Sequence, residues 1–227
     1  MTDIKTQQRS IDTGSHGTVS ALLTRPAHAK ACLVFAHGAG AGMAHPFMAT
    51  VAAGLGERGI ATLRYQFPYM EKGSKLPDAP AVAHAAVRAA VAEAARCCAG
   101  LPLIAGGKSF GGRMTSQAQA VAPLDGVRGL AFFGFPLHPA GKPSSDRAKH
   151  LGEIRIPMLF LQGSRDSLAE LSLLEPVVKS LKRRATLHVV KEADHSFHVP
   201  ARSGRNDSEV MDEILDAFAD WAGRIET

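Results

Sequence analysis

The sequence predicts an α/β fold in which a mostly parallel β-sheet is covered by helices on both faces. Three observations support this prediction. Apolar residues make up 45% of the 227 residues, short apolar runs alternate with longer amphipathic ones, and no shift in composition marks a domain boundary. Apolar strands that alternate with helices form βαβ crossovers, which place helices on both faces of a parallel sheet. We therefore expect one domain over residues 1–227.

The first part of the chain is predicted to start with an antiparallel hairpin. Residues 9–13 and 19–23 form its strands, because a glycine-containing turn separates two runs of strand character. Strand and helix periodicity then alternate. The next predicted strands cover residues 31–36 and 60–65, and the predicted helices cover residues 46–57 and 80–96.

The second part of the chain continues this alternation. Its predicted strands cover residues 101–105, 127–134, 156–161 and 185–190, and its helices cover residues 109–121 and 167–181. A final helix carries Val210, Ile214, Phe218 and Trp221 on one face, with residues 206–208 as candidate caps.

The longest irregular segment, residues 135–155, is predicted to border a ligand site. It leaves the carboxyl end of a predicted strand, and open α/β sheets bind ligands at that edge. Loops of this length are more often functional than idle in compact domains. The segment is too short to form a separate cap domain.

The charge pattern argues against a nucleic-acid partner. The net charge is +5, but the basic residues are scattered, and residues 182–184 are their only cluster of three. Nucleic-acid binding usually needs a concentrated basic face. We interpret residues 182–184 as a solvated helix end.

A membrane location is not expected either. Residues 31–56 lack any Asp, Glu, Lys or Arg, which is long enough for a membrane span. However, several glycines, two histidines and Pro46 would break such a helix in its middle. The polar N-terminus predicts no signal peptide, and three cysteines cannot build a disulfide framework. The expected location is therefore cytoplasmic.

The strongest chemical signal is the motif Gly107-Lys108-Ser109-Phe110-Gly111, placed between a predicted strand and a predicted helix. A G-x-S-x-G motif in that position presents a nucleophilic serine on a tight turn, where larger side chains would collide with neighbouring backbone. A phosphate-binding loop is excluded because Pro102 stands where its first glycine belongs. Ser109 is the predicted nucleophile.

The base and its orienting acid are expected downstream, in the order Ser, Asp, His. Asp166 and His195 each follow a predicted strand, so they lie at the same edge as Ser109. Asp166 also suits a helix cap. Asp194 is the rival acid, although it adjoins His195 too closely to reach the ring, and His198 is the rival base.

An oxyanion hole needs two backbone amides beside the nucleophile. Phe110 supplies the first, because it follows Ser109 at a helix N-terminus. Ala39 supplies the second, in a loop where Gly38 and Gly40 allow the backbone to approach a ligand. The alternative is a simple flexible turn. No metal-ligand spacing is present in the sequence, so neither a metal nor a cofactor is expected.

Taken together, these motifs resemble the α/β-hydrolase superfamily. More narrowly they are similar to a small branch related to a subunit of a histone acetyltransferase complex, and at greater distance to dienelactone hydrolases. The resemblance implies the triad Ser109, Asp166 and His195 and a fold without a cap domain, but no substrate. The matching stretches are residues 37–40, 45–48, 63–70, 107–114, 135–139, 141–143, 162–166 and 194–197.

Three departures from these families are visible. Phe110 stands where the branch usually has Met, and residues 167–169 replace a Pro-Phe-Gly type of turn. Dienelactone hydrolases use a Cys nucleophile, whereas position 109 is Ser. These changes could reshape the acyl pocket without removing the triad.

The predicted function is that of a serine hydrolase acting on a small carboxylic ester or thioester. A peptidase or carbon–carbon hydrolase would use the same groups. The alternative from another class is a protein-interaction module with little or no turnover.

Substrate contacts are expected from residues around the predicted strand ends. The substrate is predicted to be anionic, because basic residues outnumber acidic ones there; Arg64 and Arg113 could instead have structural roles. The basic residues are Arg64, Lys108, Arg113, Lys142 and Arg165, and the expected substrate contacts are Gly38, Gly40, Arg64, Lys108, Arg113 and His138.

Overall fold

A computed structural model describes residues 4–225, and one sheet of eight strands runs through the middle of this part of the chain. The strands are β1 (Lys5–Asp12), β2 (Thr18–Arg25), β3 (Ala31–Ala36), β4 (Ile60–Tyr65), β5 (Leu103–Lys108), β6 (Val127–Phe133), β7 (Met158–Gly163) and β8 (Ala185–Val190). Their order across the sheet is β1-β2-β4-β3-β5-β6-β7-β8. The pairs β1–β2 and β2–β4 are antiparallel, and all other pairs are parallel.

Helices cover both faces of this sheet. They are α1 (Pro46–Glu57), α2 (Pro68–Glu71), α3 (Pro80–Cys97), α4 (Phe110–Val121), α5 (Leu171–Ser180) and α6 (Asp207–Ile225). Buried side chains of α3, α4 and α5 form one core with the sheet, and those of α1 and α6 form the other. Successive residues of a strand serve opposite cores, as Phe132 and Phe133 do in β6. The predicted fold class is confirmed.

Several boundaries differ from the sequence-based prediction, most of all those of β1, β5 and α5. β1 begins at Lys5, four residues before its predicted start at residue 9. β5 extends to Lys108, past the predicted end at residue 105, because Gly106 and Gly107 still pair with β6 and β3. α5 begins at Leu171, four residues later than predicted, because Oδ1 of Asp166 accepts the amide of Leu168 at 2.8 Å and holds a turn there.

The segment between β6 and β7 covers residues 134–157. It contains one 3-10 helix, Asp146–Glu153, which the sequence pattern did not predict.

Asn206 caps α6 through reciprocal hydrogen bonds with Glu209 of 3.0 and 3.1 Å. Within residues 4–225, no helix has both the length and the apolar character that crossing a membrane requires.

The packing of α6 yields a stability prediction. Phe218 is fully buried, and its ring centroid lies 6.0 Å from that of Phe133 and 6.4 Å from that of Trp221. Phe218→Ala is expected to lower the free energy of unfolding by about 3–5 kcal/mol, because it leaves a cavity in a close-packed core. Urea unfolding followed by circular dichroism measures this change.

Val121→Ala is the matched control. Val121 is 76% exposed at the end of α4, so its truncation should change the free energy of unfolding by less than about 0.5 kcal/mol. Equal losses in the two variants would contradict the assignment of α6 to the core.

Candidate active site

Ser109 occupies a strained turn between β5 and α4. Its backbone has φ 50° and ψ −115°, a left-handed conformation that non-glycine residues adopt only when neighbouring structure enforces it. A Cβ on either Gly107 or Gly111 would lie 2.5 Å from the carbonyl oxygen of Ala36. Both positions therefore require glycine, and the turn packs directly against the end of β3. This arrangement presents Ser109 at the carboxyl edge of the sheet.

The structure brings His195 and Asp166 to this serine. Nε2 of His195 lies 2.8 Å from Oγ of Ser109, and Nδ1 lies 2.6 Å from Oδ2 of Asp166. Because Nδ1 faces a carboxylate, we assign the ring proton to Nδ1. Nε2 is then free to accept the serine proton.

Asp166 is held in place by several donors. It is 2% exposed and accepts hydrogen bonds from the amide of Leu168 and from the side-chain amide of Gln162. Gln162 in turn accepts the amide of Phe135 at 2.9 Å. Since a buried carboxylate is costly unless it is hydrogen-bonded, these contacts stabilise the acid beside His195.

The rival acid and the rival base lie elsewhere. Oδ1 of Asp194 accepts the amides of Ser196 at 2.7 Å and His198 at 3.0 Å, so it closes a turn and does not bind the His195 ring. His198 is exposed, and its ring lies 2.9 Å from Asp207, which raises the pKa of His198. Among residues 4–225, no group of three or more His, Cys, Asp or Glu side chains could hold a metal ion.

Two backbone amides beside Ser109 have no acceptor in the described part of the chain. They belong to Phe110, at the N-terminus of α4, and to Ala39, in the loop after β3. This loop runs close to the nucleophile, because a Cβ on Gly38 would lie 3.9 Å from that of Ser109. The two amides are thus available to a developing oxyanion.

His37 orients the amide of Ala39. Nδ1 of His37 donates to the carbonyl of Gly38 at 2.7 Å, while Nε2 accepts the amide of Phe67 at 3.1 Å. In a trans peptide the carbonyl and the next N–H point in opposite directions, so the Ala39 amide points away from His37. Burial lowers the pKa of His37 to about 4, which keeps its ring neutral.

Lys108 supports the segment that carries His195. Its Nζ donates to the backbone carbonyl of His195 and lies 5.6 Å and 5.2 Å from the ring centroids of Phe47 and Phe197. Burial lowers the pKa of Lys108 to about 8, against the opposing effect of Asp166 and Asp194. The ammonium group is therefore engaged with the protein itself.

Two cavities meet at Ser109, and each is named here after one of its residues. The Arg113 cavity, of about 420 Å³, is lined by Phe110, Arg113, His138 and Arg147 among others. The Phe47 cavity, of about 340 Å³, is lined by Ala41, Phe47, Met48, Lys108 and His195 among others. Ala39, Ser109 and Leu168 belong to both.

The expected substrate contacts divide between these cavities and the protein interior. Gly38 and Lys108 line the Phe47 cavity, and Arg113 and His138 line the Arg113 cavity. The ring of His138 is itself buried and bonded to Glu170.

Gly40 and Arg64, which were expected to contact substrate, line neither of the two cavities at Ser109. The Gly40 amide donates to the Tyr69 hydroxyl at 3.3 Å. Arg64 is 5% exposed and donates to the carbonyl of Met43 at 3.3 Å, so its guanidinium is buried beneath the loop after β3.

Arg147 is a cavity residue that sequence reasoning missed. It lies in the 3-10 helix of the segment predicted to border the site, and it lines the same cavity as Arg113. The sequence places Arg147 within residues 135–155, the segment predicted to border the site, and this position could have identified it as a candidate. Lys142 and Arg165, which were expected to attract an anion, are instead exposed outside both cavities.

Comparison with protein families places the chain in a known group. A model of the alpha/beta hydrolase domain matches residues 29–223. The chain belongs to the α/β-hydrolase domain family. The matched residues include β3 to β8 and every helix described above except the last two residues of α6.

Solved structures of other α/β-hydrolase-like proteins share the fold. A dienelactone hydrolase from Anabaena variabilis is 19% identical, with 96% of each chain covered and a TM-score of 0.77. XC6422 from Xanthomonas campestris, described as an α/β serine hydrolase without a lid, is 18% identical over 96% of this chain and 95% of its own, with a TM-score of 0.75. An esterase domain from Rhodothermus marinus is 16% identical over 97% and 98%, with a TM-score of 0.74.

The contacts of Asp166 predict a large effect of its neutralisation. Asp166→Asn is expected to lower kcat by about 10⁴-fold, since the amide no longer fixes the tautomer or balances the charge of His195. Steady-state kinetics on a 4-nitrophenyl ester measures the change. Asp194→Asn is the control, because Asn retains an oxygen for the Ser196 and His198 amides. A smaller loss of kcat in Asp166→Asn than in Asp194→Asn would show that Asp166 is not the orienting acid.

The depressed pKa of His37 predicts acid sensitivity of the fold. The unfolded chain takes up a proton near the ordinary value of 6.5, whereas the folded chain excludes it until about 4. The stability contributed by His37 is therefore complete above about pH 6.5 and is lost as the pH falls towards 4. Urea unfolding at pH 7.5, 5.5 and 4.5 should show a smaller pH dependence in His37→Gln than in the natural chain.

His28→Gln is the matched control for this comparison. His28 is exposed, so its replacement should leave the pH dependence of unfolding as it is in the natural chain. Identical pH dependence in all three proteins would contradict a neutral, buried His37.

Proposed function

We propose that this protein is a serine hydrolase that cleaves a small carboxylic ester or thioester through an acyl-enzyme. One observation carries the proposal: a continuous chain of hydrogen bonds from Ser109 through His195 to Asp166, with spacings of 2.8 and 2.6 Å, at the junction of two cavities. The serine hydrolase and esterase named among the structural neighbours support the same class of reaction.

The proposed reaction uses only groups of this chain. Oγ of Ser109 attacks the carbonyl carbon while Nε2 of His195 takes its proton, and Asp166 stabilises the imidazolium that forms. The amides of Ala39 and Phe110 donate to the oxyanion. His195 then protonates the leaving group, and a water molecule activated by the same ring releases the acid. This sequence of steps needs no cofactor.

The cavities favour a small substrate. Volumes of about 420 and 340 Å³ are each at the lower end of the range for small-molecule sites.

Cys32, Cys97 and Cys98 are all free thiols, which supports a reducing, cytoplasmic location.

The competing hypothesis of an interaction module with little turnover is less well supported. It follows from the motif resemblance to the branch that contains a histone acetyltransferase subunit. A protein that had given up catalysis would have no need to keep Ser109 strained, His195 aligned and Asp166 buried together. Their joint retention favours an enzyme.

A fluorophosphonate probe tests the proposal. The probe is expected to label Ser109 covalently, and Ser109→Ala should abolish both labelling and ester turnover because it removes the nucleophile. Ser196→Ala is the matched control, since Ser196 lines the same Phe47 cavity. Intact-mass and peptide mass spectrometry locate the label. Labelling of the Ser109→Ala protein, or full turnover by it, would sink the proposal.

A further inference from the structure

Two arginines in the Arg113 cavity have no protein partner. Arg113 and Arg147 are half-buried, and no hydrogen bond or ion pair joins either guanidinium to another described residue. Nε of Arg113 is fully buried without an acceptor, and its guanidinium lies 5.8 Å from the ring centroid of Phe110. Arg58, by contrast, is paired with both Asp212 and Asp216.

The two charges act on each other. Burial lowers the pKa of Arg113, and the charge of Arg147 lowers it further. Desolvated like charges are costly unless a counter-charge joins them. An anion between the two guanidinium groups would remove this repulsion.

The acidic groups nearby do not supply that counter-charge. Asp78 lines the same cavity and accepts the amide of Tyr69 at 2.8 Å, and Glu170 is bonded to the ring of His138. Within residues 4–225, neither carboxylate forms an ion pair with Arg113 or Arg147. His150 is also affected by the charge of Arg113, and burial lowers its pKa to about 4. Arg113 therefore has the neutral ring of His150 and a second cation nearby, and no carboxylate among the described residues is paired with it.

The position of His195 tells which half of the substrate enters this cavity. His195 must protonate the leaving group, and it lines the Phe47 cavity alone. The leaving alcohol or thiol therefore occupies the Phe47 cavity, among Ala41, Phe47 and Met48. The acyl chain extends into the Arg113 cavity.

We propose that Arg113 and Arg147 form a carboxylate subsite for the acyl chain, so that the substrate is a monoester or monothioester of a dicarboxylic acid. This inference rests on the proposed function. The bond between the carbonyl carbon and Oγ of Ser109 forms as the bond to the leaving oxygen or sulfur breaks, and the proton of Ser109 passes through His195 to the leaving group. Water then releases the free dicarboxylate and restores Ser109. Planar guanidinium groups suit a terminal carboxylate because they can donate two parallel hydrogen bonds.

The test compares acyl chains that differ only in their terminal group. Mono-4-nitrophenyl adipate and suberate carry a carboxylate where 4-nitrophenyl hexanoate and octanoate carry a methyl group. The readout is the ratio of kcat/KM for the acid ester to kcat/KM for the neutral ester. We expect this ratio to exceed one in the natural chain and to fall by about tenfold or more in Arg147→Gln and in Arg113→Gln, each of which removes a charge-assisted hydrogen bond.

Two controls separate the subsite from general effects of charge or folding. Arg183→Gln removes the same charge from an exposed position before β8, at the opposite edge of the sheet, and should leave the ratio unchanged. Arg113→Lys keeps the charge and should retain part of the preference. Circular dichroism establishes that each variant is folded.

The outcomes distinguish this inference from the proposed function. Turnover that depends on Ser109, with a ratio unchanged by both glutamine variants or with a preference for the neutral esters, overturns the subsite alone. Ester turnover undiminished in Ser109→Ala overturns the proposed function.

Calorimetric titration of adipate tests the subsite without turnover. The natural chain should bind adipate at least about tenfold more tightly than the Arg147→Gln variant, while hexanoate should show no such difference. Equal adipate binding by the two proteins would also overturn the subsite.

Discussion

The close approach of the turn at Ser109 to the end of β3 determines the geometry of the carboxyl edge. The carbonyl oxygen of Ala36 lies where a side chain on Gly107 or Gly111 would stand, so β5, α4 and β3 can meet without a gap. Through this contact the amide of Phe110 and the loop that bears Ala39 come to the same side of the serine. The proposed nucleophile and both proposed oxyanion donors are thus positioned by the same close contact.

Buried charges at the carboxyl edge of the sheet fall into two groups, one stabilised by hydrogen bonds and one without partners among the described residues. Asp166 is buried and receives hydrogen bonds from Gln162, Leu168 and His195, so that its charge is stabilised within the fold. Arg113 and Arg147 are half-buried without such partners. The first arrangement is self-contained and suits a fixed orienting acid. The second arrangement leaves two positive charges without a counter-charge, which a bound anion would supply.

Most of the fold could be predicted from the sequence because its signals are local. Strands β3, β4 and β8 and helix α1 have the predicted bounds, since each is an uninterrupted run with one periodicity. The end of β5 was missed because Gly106 and Gly107 have low strand propensity, although their backbones pair on both sides. Asp166 and His195 were found as candidates because parallel strands end at one edge.

The residues that reasoning from sequence misplaced depend on tertiary packing. Arg64 was expected at the site for its place near a strand end, but its side chain is buried under the loop after β3. Arg147 lies in a segment without clear periodicity, and only the folded course of residues 135–155 brings it to Arg113. No spacing rule in the sequence links those two arginines.

The turn at Ser109 also limits how this protein can diverge. Gly107 and Gly111 exclude any side chain, and Ser109 carries the proposed nucleophile, so divergence between the two glycines falls on Lys108 and Phe110. Lys108 lines the Phe47 cavity and Phe110 lines the Arg113 cavity. The two positions thus border different halves of the proposed substrate. A substitution of Phe110 could change the acyl preference without displacing Ser109, whereas a substitution of Lys108 would also remove the hydrogen bond to the His195 carbonyl.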